Sequence, residues 1–270
     1  SFQDVAFRSG ANIIPLMCLI AFAWKTHPSY PLVLVANRDE FHARPSLPAR
    51  SWDDDPDIIG GRDLQANGSW LAISRTGRFA TVTNFREGVS DTYGLSRGSL
   101  VQDFLQSSKD PEQFNLQLEQ EKHLYGGYNL LLASGTQLFY CSNRSDLATD
   151  LTPGIYSLSN HLLDSPWPKA LYAKQQLTSI IEEETIKPSR LLTMMRHAVP
   201  FEDKLLPSTG VSLEMERTLS PPFIQTGAYG TRCTTVLLWE NDSNARLIEQ
   251  NSLASGEPGE CLDYHLELTG

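Results

Sequence analysis

Apolar runs in the first part of the chain alternate with short polar segments, which is the pattern of strands joined by tight turns. Three hairpins are predicted, each with glycine or proline at the bend between two apolar runs. They are CLIAFAW and PLVLVAN around KTHPSY, SWLAIS and RFATVTNF around RTG, and YNLLLA and LFYCSN around SGTQ. Between the first two hairpins, RDEFHARPSLPARSWDDDPD is predicted to be a polar loop.

Elsewhere the apolar residues recur at every third or fourth position, which is typical of amphipathic helices. Four helices are predicted, in SLVQDFLQSS, PEQFNLQLEQEKHL, WPKALYAKQQLTSIIEEE and PSRLLTMMRHAV. A proline-containing loop is predicted over 200–227, followed by strands in TRCTTVLLWE, ARLIEQNS and CLDYHLEL. Strands, then helices, then strands again indicate a layered α+β domain, which we expect to comprise residues 17–270.

Composition narrows the class of function. The 270 residues are 40% apolar and 20% charged, close to globular averages, and the formal net charge is −10. An acidic chain repels phosphate backbones and anionic membranes, so we expect no nucleic-acid partner. No stretch after the first apolar run has the roughly 20 apolar residues of a membrane span, so we expect no transmembrane segment.

The four cysteines are far apart in the sequence, and no cysteine or histidine pair has the spacing of metal ligands. This usage favours a reducing, cytoplasmic location. We expect no metal site and no required cofactor. The oligomeric state is left open by the sequence.

Met17 and Cys18 stand at the head of the first apolar run, after sixteen residues that resemble nothing that follows. If Cys18 were the first residue, it would carry both a thiol and a free α-amino group. Their reference pKa values are about 8.5 and about 7.7–8.0, so the amine can accept the thiol proton near neutral pH. On spacing alone the alternative stays open that Cys18 is an ordinary buried strand residue.

Ordered motifs along the chain resemble those of a known family. MCLIAFAW at 17–24 and LVANRDEFHARP at 34–45 resemble the opening of the NRDE family, that of transport and Golgi organisation protein two, named for the tetrad Asn37-Arg38-Asp39-Glu40. Further matches follow in GSWLAIS, ATVTNFRE, YGGYNLLLA, LTPGIYSLSNHLLDSPWPK and YGTRCTTVLL. No match precedes Met17, so residues 1–16 are interpreted as an extension outside the fold: a misassigned start, a propeptide or an export segment.

The NRDE family is grouped with the N-terminal-nucleophile (Ntn) hydrolases, so the resemblance implies a four-layer αββα sandwich of antiparallel sheets. Within that group it is similar to the bile-salt hydrolase and penicillin V acylase branch. The similarity implies that Cys18 is the nucleophile and that Asp39 holds its terminal amine. It also implies that Asn84 and Asn160 form an oxyanion hole, through a backbone N–H and a side-chain amide, and that Arg232 favours the thiolate.

The chain departs from the branch at one position of the active-site motif. The arginine that opens the motif falls on Ala36, and Arg38 is the nearest replacement. Residues two apart lie on the same face of a strand only if the strand is regular. This departure puts hydrolysis in doubt even if the fold is kept.

Two classes of function therefore follow from the resemblance. In the first, the chain is a cysteine amidohydrolase that acts on an amide or acyl compound through Cys18. In the second, it is a non-catalytic protein that binds and traffics haem, acyl-CoA or another lipid, with haem a ligand rather than a cofactor. Asn37, Arg38 and Glu40 are predicted to bind the ligand, and Arg38 would meet its phosphate or propionate.

Overall fold

The computed structural model describes residues 17–87, 94–241 and 243–269, and residues 1–16, predicted to be an extension, lie outside these ranges. Two antiparallel sheets form its centre. The six strands of the first are β1 Met17–His27, β2 Tyr30–Phe41, β10 Gly154–Leu158, β11 Tyr229–Asn241, β12 Asn244–Ser252 and β13 Pro258–Glu267. Their order in the sheet is β10-β1-β2-β11-β12-β13.

The second sheet has seven strands, in an order that follows the chain. They are β3 Ser46–Ser51, β4 Ile58–Asp63, β5 Leu71–Ser74, β6 Arg78–Asn84, β7 Tyr128–Ser134, β8 Gln137–Ser142 and β9 Ala148–Asp150. All three predicted hairpins are present, as β1–β2, β5–β6 and β7–β8.

Five α-helices lie in the described ranges, and four of them cover the outer faces of the two sheets. The five helices are α1 Ser99–Gln106, α2 Pro111–Glu121, α3 Pro168–Ile181, α4 Pro188–Met194 and α5 Leu213–Thr218, with 3-10 turns at Lys122–Leu124 and Asp203–Leu205. Helices α1 and α2 pack on the seven-stranded sheet, and α3 and α4 pack on the six-stranded sheet. The layers therefore run helix, sheet, sheet, helix, and the αββα arrangement is confirmed.

Strand β1 explains why the first apolar run is continuous rather than alternating. Leu19 and Ala21 point to the helices α3 and α4, whereas Ile20 and Phe22 point to the second sheet. Side chains alternate across a strand, and both faces of this strand are covered. All four residues are therefore buried.

Two segments predicted to be loops contain regular structure. Strand β2 continues through the tetrad to Phe41, and β3 occupies Ser46–Ser51, because the backbone groups of these polar segments pair with neighbouring strands. The segment 200–227 contains α5, which the Ser212 side chain caps by accepting a hydrogen bond from the Met215 N–H at 3.2 Å. None of the helices in the described part of the chain has the length and apolar character that a membrane crossing needs.

Candidate functional site

The tetrad lies in the middle of the first sheet, where the pleat divides its side chains between two faces. Cys18 on β1 pairs with Arg38 on β2, and Met17 pairs with Asp39. Asn37 faces the helices, since its amide contacts the carbonyl of Met195 just after α4. Arg38 and Cys18 face the second sheet, on the same side as the buried Ile20 and Ala36. The side chains of the tetrad therefore lie in two environments, one facing the helices and one facing the second sheet.

Cys18 lines a cavity of about 10 Å³ between the two sheets. That volume is roughly the room needed by one water molecule. Its lining contains no histidine or carboxylate and consists of Cys18, Ile20, Ala36, Asn37, Arg38, Trp70, Thr81, Val82 and Thr235. Nowhere in the described ranges do three histidine, cysteine or acidic side chains gather as metal ligands would.

The backbone of Cys18 is held by residues that follow β10. Its N–H donates to Asn160 Oδ1 at 3.3 Å, and its carbonyl accepts a hydrogen bond of 3.0 Å from Ser159 Oγ. The Asn160 amide nitrogen in turn donates to the Asn84 carbonyl at the end of β6, at 2.9 Å. Three of the predicted site residues, Cys18, Asn84 and Asn160, are therefore joined in one buried chain of hydrogen bonds.

The Cys18 thiol is strongly disfavoured as a thiolate. Burial and the nearby Asp39 charge raise its pKa to about 12, and the Arg38 guanidinium opposes both effects. Desolvation penalises the charged form of any buried acid. The thiol is therefore protonated at neutral pH, and its reaction as a nucleophile requires a group that accepts its proton.

Asp39 is buried on β2, where it pairs with Met17 of β1 and follows the pair of Arg38 with Cys18. Its Oδ1 accepts a hydrogen bond of 2.6 Å from Thr231 Oγ1, whereas its buried Oδ2 has no hydrogen-bond partner among the described residues. Burial raises the pKa of the Asp39 carboxyl to about 6, and the nearby Lys169 ammonium opposes that rise. An unpartnered carboxylate oxygen in the interior is costly, so this atom is suited to a further hydrogen-bond donor.

Arg38 lies on the same strand face as Ala36, as the nearest-replacement interpretation requires, because β1 and β2 pair without interruption from Met17 to Trp24. Its guanidinium stacks over the Trp70 ring at 4.2 Å and lies 3.7 Å from Glu40 Oε2. A further contact joins Arg38 Nη1 and Ser46 Oγ at 3.4 Å. The Arg38 guanidinium is the positive charge that lowers the pKa of the Cys18 thiol.

Arg232 lies at the end of β2, and its predicted effect on the Cys18 thiol stays a prediction. It is the extra residue of a bulge in β11, where the pairing with β2 shifts between Thr231 and Cys233. Its Nη1 donates to the carbonyls of Phe41 at 2.9 Å and Arg44 at 3.3 Å. These bonds hold the end of β2, and the charges that act on the Cys18 thiol come from Asp39, Arg38 and Glu40.

The other two tetrad side chains make contacts within the fold. The Asn37 amide nitrogen donates to the carbonyls of Met195 at 3.0 Å and Pro222 at 2.9 Å, and its oxygen accepts from Thr234 Oγ1 at 2.6 Å. Glu40 accepts a hydrogen bond of 2.7 Å from the Phe41 N–H and pairs with Arg44 at 3.3 Å. Their predicted role in ligand binding stays a prediction.

Three charged residues near the site were missed by the sequence reasoning: Lys169, Arg86 and Glu216. All three are buried, and Arg86 forms an ion pair of 2.6 Å with Glu216. A signal for Lys169 existed, because residues 169, 173, 177 and 180 lie on one face of α3, and the last three are apolar. A lysine on the apolar face of a helix predicts that its charge is buried. Arg86 stood two residues after Asn84 in a quoted motif.

Comparison with known proteins identifies the family to which the chain is similar. A family model described as Transport and Golgi organisation 2 matches residues 17–254. The homologue from Mus musculus is 31% identical over 258 residues, covering 88% of this chain and 94% of the relative, and the homologue from Homo sapiens is 32% identical with the same coverage. The Drosophila melanogaster protein is 27% identical over 281 residues, covering 93% and 98%.

Two solved structures are also similar. One is a Caenorhabditis elegans orthologue of N-acylethanolamine-hydrolyzing acid amidase, with a TM-score of 0.46, 10% identity, and coverage of 83% of this chain and 94% of that one. The other is a mutant conjugated bile acid hydrolase from Clostridium perfringens, with a TM-score of 0.48, 9% identity, and coverage of 91% and 96%.

Proposed function

Given that the chain belongs to the Transport and Golgi organisation 2 family, we propose that it is a cysteine amidohydrolase that uses Cys18 after residue 17 has been removed. The reaction cleaves the C–N bond of an amide through a thioester on Cys18. The surroundings of the Cys18 nitrogen support this proposal more than those of its sulfur.

The observation that carries the proposal is the unpartnered Oδ2 of Asp39, the β2 residue that pairs with Met17 of β1. On the other side, Asn160 Oδ1 lies 3.3 Å from the Cys18 nitrogen. A peptide N–H has one hydrogen to donate, whereas a terminal amine has two or three. Release of the Cys18 amine would therefore supply donors for both oxygens and relieve an unsatisfied buried acceptor.

The reaction follows from the protonation state of the thiol. The α-amino group takes the thiol proton, the sulfur attacks the acyl carbonyl, and the resulting oxyanion accepts a hydrogen bond from the Asn160 amide nitrogen. The C–N bond then breaks as the protonated amine returns the proton to the leaving nitrogen. Water attacks the thioester and releases a carboxylic acid and the Cys18 thiol. Arg232 has no part in these steps.

Substrate entry requires a local movement, since the cavity at Cys18 holds about one water molecule. Trp70 is the lining side chain that is partly exposed, and it carries the Arg38 guanidinium on its ring. The Trp70 ring lies against Gly61 and Arg38, so entry to the cavity on this side requires that ring to move. We therefore expect the acyl group to enter past Trp70.

The test begins with the intact mass of protein made in its native host, which identifies the mature N-terminus. The protein is then incubated with a panel of N-acyl amides, and acylation of each cysteine is measured by peptide mass spectrometry. We expect a thioester on Cys18 alone and none in Cys18→Ala. The control is Cys141→Ala. Cys141 is buried on β8, on the face of the second sheet that packs against α1 and α2. Unchanged turnover in Cys18→Ala would refute the proposal.

The second hypothesis, that the chain binds haem or acyl-CoA without catalysis, has a test of its own. The cavity at the tetrad is far smaller than the roughly 300–1,000 Å³ of ordinary ligand pockets, so haem or acyl-CoA would need a larger opening than an acyl group. No specific contact in the described residues favours either ligand. Binding of haem and acyl-CoA remains a prediction, to be tested through Arg38.

A further inference from the structure

A second cavity lies between the two sheets, at the opposite end of that space from Cys18. Trp24 of β1, Leu32 of β2 and Trp239 of β11 form one row across the first sheet, and all three are buried on its inner face. At the rise per residue of a strand, Cys18 and Trp24 on β1 are about 20 Å apart. The second cavity is therefore distinct from the site of the proposed reaction.

The cavity exists because large rings of one sheet meet small residues of the other. Its volume is about 260 Å³, and it is lined by Trp24 and Trp239 on the first sheet and by Ala133, Gly135 and Thr136 of the β7–β8 hairpin on the second. A cavity of about 150 Å³ can hold benzene, and ordinary ligand pockets begin at roughly 300 Å³. The space is therefore suited to a molecule of one or two rings.

Lys25 supplies a positive charge at this cavity because of a bulge in β1. Pro31 of β2 has no N–H for the ladder, and the pairing shifts there so that Lys25 and Thr26 oppose this one residue. The φ of Lys25 is 50°, a left-handed conformation that glycine or asparagine adopts at lower cost. The Lys25 ammonium lies 4.8 Å from the Trp24 ring centroid and donates to the Thr136 carbonyl at 2.8 Å. The strained backbone therefore holds an exposed lysine at the rim of the cavity.

The Lys25 ammonium has the capacity to bind an anion. Among the residues that the structure describes, its one hydrogen bond goes to a neutral carbonyl, and it forms no salt bridge. An ammonium has three hydrogens to donate, so two remain for a ligand. His27, the other ionisable residue of the lining, has both ring nitrogens occupied: Nε2 contacts the Glu183 carbonyl at 3.1 Å, and Nδ1 accepts from the Ser29 N–H at 3.1 Å. An anion in the cavity would therefore be bound through Lys25.

We propose that this cavity binds a small aromatic carboxylate, whose ring packs against Trp24 and Trp239 and whose carboxylate pairs with Lys25. Aromatic rings favour stacked or edge-on contacts with one another. One lysine carries one positive charge, which balances a carboxylate, whereas a phosphate group carries nearly two negative charges. The formal net charge of −10 gives other parts of the chain little attraction for an anion. The proposal goes beyond the reaction proposed above and does not depend on Cys18.

The test titrates the full chain with naphthoate, an anion of two fused rings, and records the NMR signals of the tryptophan side-chain N–H groups. These signals are assigned with single tryptophan-to-phenylalanine variants. We expect the signals of Trp24 and Trp239 to move, whereas those of Trp52 and Trp167 should stay in place, since these residues lie on the outer faces of the sheets. Movement of the Trp70 signal alone would put the ligand in the Cys18 cavity and overturn the inference, as would movement of none.

The same titration tests the role of Lys25. Lys25→Gly removes the charge and suits the left-handed backbone, so we expect it to fold and to bind naphthoate about fivefold more weakly. Lys25→Asn, which also tolerates that conformation, should show the same loss, and naphthylmethanol, which has the ring without the charge, should bind the wild type and both variants equally. The control Lys204→Met removes a lysine that is 74% exposed in another part of the fold and should leave the affinity for naphthoate unchanged. Equal affinity of the wild type and both Lys25 variants for naphthoate would overturn the inference.

Discussion

Replacing Glu216 by glutamine removes one charge from an ion pair enclosed by protein. Arg86 and Glu216 are 2% and 3% exposed, and their side chains meet at 2.6 Å. Glu216 also accepts hydrogen bonds from the N–H and hydroxyl of Thr209, at 2.9 Å and 2.5 Å. Glutamine preserves the shape and one acceptor oxygen. The Arg86 guanidinium then loses the charge of Glu216 while it stays buried.

The expected loss follows from that geometry. Removing one member of a buried ion pair typically costs about 3–5 kcal/mol, because the other charge stays buried. Domains of this size lose about 2–4 °C of melting temperature per kcal/mol, so Glu216→Gln should lower it by about 6–20 °C. Removing both charges together should cost less, because the buried cation is removed with its anion. The variant Arg86→Met with Glu216→Leu should therefore melt above Glu216→Gln.

The assays are thermal and urea unfolding, each followed by circular dichroism and tryptophan fluorescence. The matched control is Asp203→Asn, which breaks the pair of Asp203 with Arg217 of α5, where both partners are nearly half exposed. That control should leave the urea midpoint unchanged within error. If Glu216→Gln unfolds at the same urea concentration as the control, the Arg86–Glu216 pair does not stabilise the fold.

Three other substitutions test the site. Burial raises the pKa of Asp39 to about 6, so its contribution to stability is full below about pH 4 and lost as pH rises through 6. Asp39→Asn should reduce the fall of the free energy of unfolding with rising pH, which urea titrations at each pH measure. An unchanged dependence on pH would contradict this prediction. Gly61→Ala should cost about 1–3 kcal/mol and alter tryptophan fluorescence, because its Cβ would lie 2.0 Å from the Trp70 ring. Gly227→Ala, which meets open space, serves as its control. Arg38→Ala should weaken any binding of haem or acyl-CoA in spectroscopic titrations, and equal affinity would exclude a role for that cation.

Local patterns predicted much of the fold. Glycine-bounded apolar runs identified β5–β6 and β7–β8, and apolar spacing identified α3 and α4. Strand β3 was missed because SLPARS has a proline and little apolar character, and its pairing with β4 supplies what the sequence does not. Helix α5 was missed because a six-residue helix carries too few apolar repeats to be recognised.

The candidate site was only partly predictable, for a different reason. Motif order indicated Cys18, Asn84 and Asn160, which the hydrogen bonds then join. Sequence could not tell that Arg232 forms a bulge and turns to the end of β2, because a bulge depends on the pairing of two distant strands. Nor could it tell that α5 and the segment after it would enclose Lys169.

The Asn37 side chain has a consequence for how the tetrad should be studied by mutagenesis. Its single amide holds three distant parts of the chain: the end of α4, the segment before β11 and β11 itself. A saturation screen scored by activity would rank this position among the most intolerant, beside Cys18. Intolerance at Asn37 would nevertheless report the amount of folded protein rather than contact with a substrate. Screens of this chain therefore need a parallel measure of abundance, against which loss of activity at each tetrad position is normalised.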